Sequence, residues 1–555
     1  MGDPGLNNLR WAFALMDGLA AAGVERALIS PGSRSTPLVL ACDRHPGIHT
    51  RVHVDERGAA FMALGQAKAS QVPSVVIGTS GSAATHWYPA VVEASLSHTP
   101  MILLSADRPP ELQDWGANQT LDQLRLFGIH VRAFHQAGLP EDDDAALRQI
   151  RHLGIKAVDQ ALTAPAGPVH INLPFREPLV PQCPPADWPS TPSPRFFSDR
   201  QRPDADPARL DALARRLQAG HGLIVCGPAA RSEDFASAAV ALARRLGAPL
   251  LADPLSGVRF GPWINRWVVA RYDAFLRDSM SAAPVPDWVL RFGAAPVSRR
   301  LLDFLDRQPG LQVLVNADGD WPDPMHRTGQ LIRAEPSRFC RQLAERVRKR
   351  EPNTWGDWYL RAEEVAGAAA EVPLAGRLTA ELIRQLPAGC LLFSSNSLAI
   401  RYLDTWSGRG PKPLHILANR GVSGIDGNVS TLAGLQAISR SRVVGLIGDV
   451  ALLHDLNGLA AIRDQEPVIV ILDNGGGAIF SLLPQSELPR FERYWLTPPG
   501  LDLETVAQLF GLGFHCASSV QVFAQALSAA LARPGPQLLQ VRLPADPERP
   551  RQGRL

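Results

Sequence analysis

The sequence predicts an α/β protein built from three doubly wound parallel-sheet domains. Three observations lead there. Short apolar runs at Val75–Ile77, Met101–Leu104, Leu223–Val225, Gln312–Val315, Leu391–Phe393, Val443–Ile447 and Val468–Leu472 read as strands buried on both faces. Longer amphipathic stretches lie between them, such as Arg209–Leu217 and Phe235–Leu246, which gives a repeating βαβ pattern. Finally, Pro178–Pro207 holds nine prolines in 30 residues, too many for a regular element. With a softer boundary after an Arg-rich helix, the chain parses as a first domain over 1–180, a linker over 181–207, a central domain over 208–350, a second linker over 351–373 and a last domain over 374–555. The first and last blocks are similar in length and style, which hints at duplication.

Composition excludes several classes. Apolar residues at 45% and charged residues at 20% are globular values, so wholesale disorder is excluded. A net charge of +2 provides no basic field for nucleic acid. No run approaches the length of a membrane span, and the N-terminus does not read as a signal peptide. Six scattered Cys without a C-x-x-C form neither a zinc site nor a disulfide scaffold. A cytoplasmic protein without membrane association is the expectation. Lys occurs only at positions 68, 156, 349 and 412, which leaves 52 Arg among 56 basic residues. Genome composition accounts for such a bias, but individual Arg can also serve as forks for carboxylates.

The candidate motifs lie where strands end. His45, His49 and His53 have the spacing of a helical metal face, yet Pro46-Gly47 breaks a helix and His49–Val54 alternates as a strand, so no metal site is expected there. Val443–Asp449 is a strand ending in Gly-Asp. A helix-like stretch Leu453–Arg463 follows, then the strand Val468–Leu472 and Asp473-Asn474-Gly475-Gly476. Asp449 and Asn474 thereby fall at the carboxyl ends of successive parallel strands, where ligands bind in open α/β sheets. A carboxylate, an amide oxygen and a Gly-rich backbone suit a hard divalent cation; a capping Asp with an ordinary Gly turn would be spelled the same way. Asp55-Glu56 ends another strand and opens a small-residue helix, which reads either as a favourable helix N-terminus or as a buried proton acceptor. Ser33-Arg34 and Ser105–Arg108 are further strand-to-loop turns, each either an anion cradle or a plain cap. No Walker A motif, no G-x-G-x-x-G after a strand and no G-x-S-x-G elbow occurs, so an ordinary P-loop NTPase, NAD dehydrogenase or α/β-hydrolase is not expected.

Together these segments resemble the thiamine-diphosphate-dependent enzymes. The finer spelling is similar to the menaquinone-pathway 2-succinyl-5-enolpyruvyl-6-hydroxy-3-cyclohexene-1-carboxylate synthase family. The matching strings are ISPGSRSTPL, HVDERGAAFMALG, LLSADRPPEL with GANQT, NSLAIR, ANRGVSGIDGNVST, and HDLNGLAAIR before IFSLLP.

The resemblance implies a pyrimidine-binding domain, a central domain and a diphosphate-binding domain. The cofactors it implies are thiamine diphosphate and Mg²⁺ or Mn²⁺. The implied assembly is a homodimer or homotetramer with active sites at the subunit interface. The implied activity is that of a transferase: decarboxylation of 2-oxoglutarate and addition of the resulting succinyl carbanion to isochorismate. By the same resemblance Glu56 is catalytic and contacts the cofactor, as do Ser397 and Ile425, while Asp449, Asn474 and Gly476 hold the metal. The substrate set it implies is Ser33, Arg34, Arg108, Asn118, Gln119, Arg299, Arg300, Ser397, Arg401 and Arg420. Three positions depart from the family pattern. Val450 stands where Gly is usual after Gly-Asp, Asp473-Asn474-Gly475 replaces an Asn run, and Arg299 takes the place of a Lys. Rival readings are another thiamine-diphosphate carboligase or decarboxylase, and a non-catalytic ligand-binding protein on the same fold.

Overall fold

The apolar runs form strands in three six-stranded sheets, every pairing of which is parallel, in a computed structural model that describes residues 3–182, 194–200, 203–229, 232–350, 354–368 and 372–543. The chain divides into two compact units. One comprises Met1–Arg200, Asn419–Arg440 and His454–Gln465; the other comprises Gln201–Ala418, Ser441–Leu453 and Glu466–Leu555.

The first unit holds a sheet of β1 (Arg26–Ile29), β2 (His49–Val52), β3 (Ser74–Gly78), β4 (Met101–Asp107), β5 (Ala133–Gln136) and β6 (Pro168–Pro174), in the order β2-β1-β3-β4-β6-β5. The order reverses between β1 and β3, which opens a crevice at their carboxyl ends. β3, β4 and β6 are buried along their whole length, as a sheet covered on both faces requires. The periodic reading missed β6 because it begins and ends in Pro and carries His170 and Asn172 inside. Helix Glu56–Ser70 packs against helix Asn428–Ile438. A Cβ on Gly65 would lie 2.1 Å from the Thr431 carbonyl, and one on Gly434 would lie 2.0 Å from that of Met62, so the two backbones touch through glycines.

The second unit contains two sheets. β7 (Gly222–Cys226), β8 (Leu250–Ala252), β9 (Val268–Val269), β10 (Trp288–Phe292), β11 (Leu311–Val315) and β12 (Thr328–Ile332) are ordered β12-β11-β10-β7-β8-β9. This is the strand order of dinucleotide-binding sheets, here without the glycine fingerprint. β13 (Cys390–Ser394), β14 (Leu414–Ala418), β15 (Val444–Gly448), β16 (Val468–Asp473), β17 (Gly513–Ala517) and β18 (Gln537–Arg542) are ordered β14-β13-β15-β16-β18-β17. Renumbered from its own first strand, this order equals that of β1–β6, as duplication would leave it.

Two stretches differ from the sequence reading. The helix expected over Leu453–Arg463 is two short pieces, Asp449–His454 and Gly458–Ala461. Between them Asp455 turns inward, fully buried, and accepts hydrogen bonds from the Ser430 backbone N–H at 2.7 Å and from its hydroxyl at 3.0 Å. The stretch 351–373 carries a helix, Thr354–Gly367, whose Tyr359 and Leu360 enter the core of the β7–β12 sheet. Within the stretch 181–207, residues 183–193 lie outside the described residues.

Candidate active site

In the first unit, β1 runs into the turn that carries Ser33 and Arg34. Ser33 is exposed and Arg34 is buried. The Arg34 backbone N–H donates to the Thr79 hydroxyl at 3.2 Å, which ties the ends of β1 and β3 together. Its guanidinium donates to the Phe175 carbonyl at 3.0 Å and to Glu177 at 2.8 Å. Arg108 follows β4 directly. It bonds the Ser80 hydroxyl and donates to the Gln119 carbonyl at 2.9 Å. The Gln119 amide donates to the Ser80 carbonyl at 3.0 Å, and Asn118 beside it is exposed. Burial, and next the charge of Arg34, push the Arg108 guanidinium below its ordinary pKa. Asp107 and Glu177 act in the opposite sense, so this cradle holds two cations partly offset by two carboxylates.

A buried amide network supports this cradle. Asn172 donates to Asp107 at 2.8 Å and accepts from the Ser105 hydroxyl at 2.7 Å and from Gln123 at 2.8 Å. Gln123 in turn accepts the Gly81 N–H at 3.0 Å. Burial raises the Asp107 pKa, and burial lowers that of His170 to about 3, which keeps the imidazole neutral.

Glu56 sits half-buried in the first turn of its helix, capped by Asp55, whose carboxylate accepts the Arg57 and Gly58 N–H groups at 3.0 and 3.4 Å. Arg420 and Ile425, both half-buried, lie on the loop before helix Asn428–Ile438. That loop is pinned by a residue the sequence reading did not find. Glu93 is 1% exposed, accepts the Gly421 and Val422 N–H groups at 3.0 and 2.9 Å, and pairs with Lys68 at 3.3 Å. The one available signal was the rarity of Lys in an Arg-rich chain.

In the second unit, β13 and β15 are neighbours, and the Gly448 N–H donates to the Ser395 hydroxyl at 3.2 Å across their ends. Ser397 takes a left-handed φ of 65°, and its carbonyl accepts from the Arg401 guanidinium one turn later at 2.7 Å. Asp449 follows β15, 3% exposed. Its oxygens accept the Val450 N–H at 2.9 Å and the Gly476 N–H at 2.7 Å. Burial nevertheless raises its pKa to about 6. No Arg, Lys or His forms an ion pair with it among the described residues. Asn474 follows β16, and its buried amide oxygen has no hydrogen-bond partner among the described residues. A buried carboxylate without a counter-cation beside an unsatisfied amide oxygen suits a hard divalent cation, so the residues fit Mg²⁺ or Mn²⁺. Gly476 has φ 124°, and a Cβ there would lie 2.1 Å from the Leu496 carbonyl. Its own carbonyl accepts the Ala478 N–H at 2.8 Å and keeps a second lone pair for a ligand.

Arg299 and Arg300 open helix Arg299–Asp306. Their side chains differ: Arg299 is 71% exposed and paired to Asp303 at 2.9 Å, whereas Arg300 is 19% exposed and paired to Asp273 at 3.2 Å. Both line a cavity of about 430 Å³ together with Arg277, Arg401, Leu482 and Leu483. Of the sequence-predicted residues, Arg299, Arg300 and Arg401 thus share one cavity, while Ser397, Asp449, Asn474 and Gly476 lie on the adjoining ends of β13, β15 and β16.

Three domain families match the chain. They are described as "Thiamine pyrophosphate enzyme, N-terminal TPP binding domain" (residues 9–126), "Middle domain of thiamine pyrophosphate" (187–390) and "Thiamine pyrophosphate enzyme, C-terminal TPP binding domain" (405–541). A 2-succinyl-5-enolpyruvyl-6-hydroxy-3-cyclohexene-1-carboxylate synthase of Dechloromonas aromatica (strain RCB) is 43% identical over 98% of this chain and 100% of its own length. The chain belongs to this synthase family. A second synthase, of Geobacillus kaustophilus (strain HTA426), is 43% identical over 96% of this chain and 94% of its own length. Among solved structures, benzoylformate decarboxylase from Polynucleobacter necessarius aligns with a TM-score of 0.73 over 97% of this chain and 99% of its own. At 17% identity that likeness speaks for the fold alone. The synthase family is one of thiamine-diphosphate-dependent enzymes.

Proposed function

We propose that the protein decarboxylates 2-oxoglutarate and transfers the succinyl unit to isochorismate, the reaction by which 2-succinyl-5-enolpyruvyl-6-hydroxy-3-cyclohexene-1-carboxylate enters menaquinone biosynthesis. The observation that carries this reading lies within one unit. An oxygen pair fit for a divalent cation, Asp449 and Asn474, stands in the same unit as a cavity lined by Arg299, Arg300 and Arg401. Both substrates are carboxylates, and guanidinium forks match carboxylate geometry.

Bound thiamine diphosphate supplies an electron sink for the pair released on decarboxylation. Asp449, Asn474 and the Gly476 carbonyl would hold the metal. Glu56 would hydrogen-bond the aminopyrimidine ring and hold the proton that sets its tautomer. Ile425 supplies an apolar prop, and Ser397 a hydroxyl, beside the cofactor. Ser33, Arg34, Arg108, Asn118, Gln119 and Arg420 bind and orient substrate carboxylates and hydroxyls in the first unit, as Arg299, Arg300, Ser397 and Arg401 do in the second. Asn118 and Ser33, both exposed, and the mutually opposed Arg34 and Arg108 support an open anion cradle. In this reading residues 1–180 bind the pyrimidine, 208–350 form the central domain and 374–555 bind the diphosphate.

A homodimer or homotetramer with active sites at the subunit interface completes the proposal. No helix among the described residues is long and apolar enough to cross a membrane, and the proposed location is the cytoplasm.

The test is consumption of isochorismate and 2-oxoglutarate by the purified protein with thiamine diphosphate and Mg²⁺. Preferred turnover of pyruvate would assign it to another carboligase. Cofactor binding without CO₂ release would make it a binding protein.

A further inference from the structure

Asp273 lies on the wall of the arginine-lined cavity, at the start of helix Tyr272–Ser279. Its side chain is 9% exposed. One oxygen accepts the Ser298 hydroxyl at 2.7 Å. The other accepts the Thr405 hydroxyl at 3.0 Å. A terminal nitrogen of Arg300 lies 3.3 and 3.2 Å from the two oxygens. Ser298 caps the helix that opens with Arg299-Arg300, and Thr405 lies on the Leu398–Trp406 helix one turn after Arg401. One carboxylate therefore joins the two elements that carry arginines into the cavity.

The neighbouring acids do not share this arrangement. Asp404 faces the fully buried Arg259, whose guanidinium donates to it at 2.7 Å. Asp303 pairs with Arg299, one turn earlier in its own helix. Only Asp273, among the acids lining this cavity, bonds to both arginine-bearing helices among the described residues.

We propose that Asp273 is a positioning residue: it fixes the guanidinium of Arg300 and the spacing between Arg300 and Arg401, so that the cavity is set for a carboxylate before the substrate arrives. This rests on the reading that Arg300 faces a substrate. A guanidinium held at one end keeps its planar fork oriented, which removes an ordering cost from binding. The nearby negative charge also offsets the mutual repulsion of Arg277, Arg299, Arg300 and Arg401, which all line this cavity.

The test is a double-mutant cycle in the holoenzyme with Asp273→Asn and Arg300→Ala. Asn removes the charge and keeps an acceptor oxygen for one of the two hydroxyls, while its amide N–H can donate to the other. Asp273→Asn is expected to raise KM for 2-oxoglutarate or isochorismate about tenfold while kcat changes less than about twofold. In the Arg300→Ala background it is expected to add no further loss. Thr405→Val, which removes one hydroxyl only, is expected to shift the same KM in the same direction by about threefold, and it serves if Asp273→Asn does not fold. Unchanged KM in Asp273→Asn, or an equal loss in both backgrounds, would overturn the proposal. Wild-type kinetics in Arg300→Ala would remove Arg300 from the site and the proposal with it. If the protein turns over neither substrate, the functional reading fails instead, and calorimetric titration with 2-oxoglutarate still decides: a Kd indifferent to Asp273→Asn overturns the positioning role.

Discussion

β3 and β4 of the first sheet hold the same places in their strand order as β15 and β16 of the third. Beyond β3 and β4 stand Ser80 and Arg108, bonded to each other, and Arg34 adds a second cation nearby. Beyond β15 and β16 stand Asp449, buried without a cationic partner, and Asn474, with its oxygen unsatisfied. One topology thus offers cations at one sheet and bare oxygens at the other. The crevice beyond the carboxyl ends is fixed by how parallel strands are wound. The sign of the charge it presents is decided by one or two residues after each strand.

The widest break in that comparison comes from the helix that follows β2. Glu56→Gln is expected to lower kcat by about 10²–10⁴-fold, the range for a lost proton-handling group, with thiamine diphosphate affinity nearly unchanged. Equal loss of cofactor binding, measured by calorimetry, would make Glu56 a binding residue only.

The oxygen side carries an energetic signature. Asp449 has a folded-state pKa of about 6, above the ordinary carboxylate value of 3.8. The folded protein therefore binds more protons than the unfolded chain between these values, and stability falls as pH rises through them. Without metal, this group costs up to about 3 kcal/mol above pH 6. Urea unfolding should show that loss in the wild type, its absence in Asp449→Asn, and its recovery when Mg²⁺ is added.

The same variant is expected to weaken Mg²⁺ binding by about 10–100-fold, read by titration. The arginines respond differently. Arg420→Ala or Arg401→Ala should raise a substrate KM about tenfold and leave the Mg²⁺ affinity alone. Weakened metal binding in these variants would mean that the two chemistries are not separable. The smallest effect belongs to Arg299→Ala. Its side chain is mostly exposed and spent on Asp303, so KM should rise no more than about threefold.

Several parts of this molecule were legible in residue order. Buried strands such as Val468–Leu472 announce themselves as apolar runs, because a parallel sheet must be apolar on both faces. Asp449 and Asn474 were legible because a strand end has a fixed direction, so whatever follows it faces the crevice. β6 was hidden by its prolines and its buried polar side chains, and the break at Asp455 by a bond to Ser430 at a sequence separation of 25 residues.

By itself, then, the sequence determined the α/β class, the repeating βαβ units and the residue types available at each strand end. These follow from periodicity and from short-range chemistry. Only the tertiary structure decided which of the many Arg turn inward, that Arg300 meets Asp273 while its neighbour Arg299 does not, and that Glu93 clamps the loop of Arg420. Those choices depend on contacts between segments far apart in the chain, and a guanidinium is spelled identically whether it faces water, a carboxylate or a substrate.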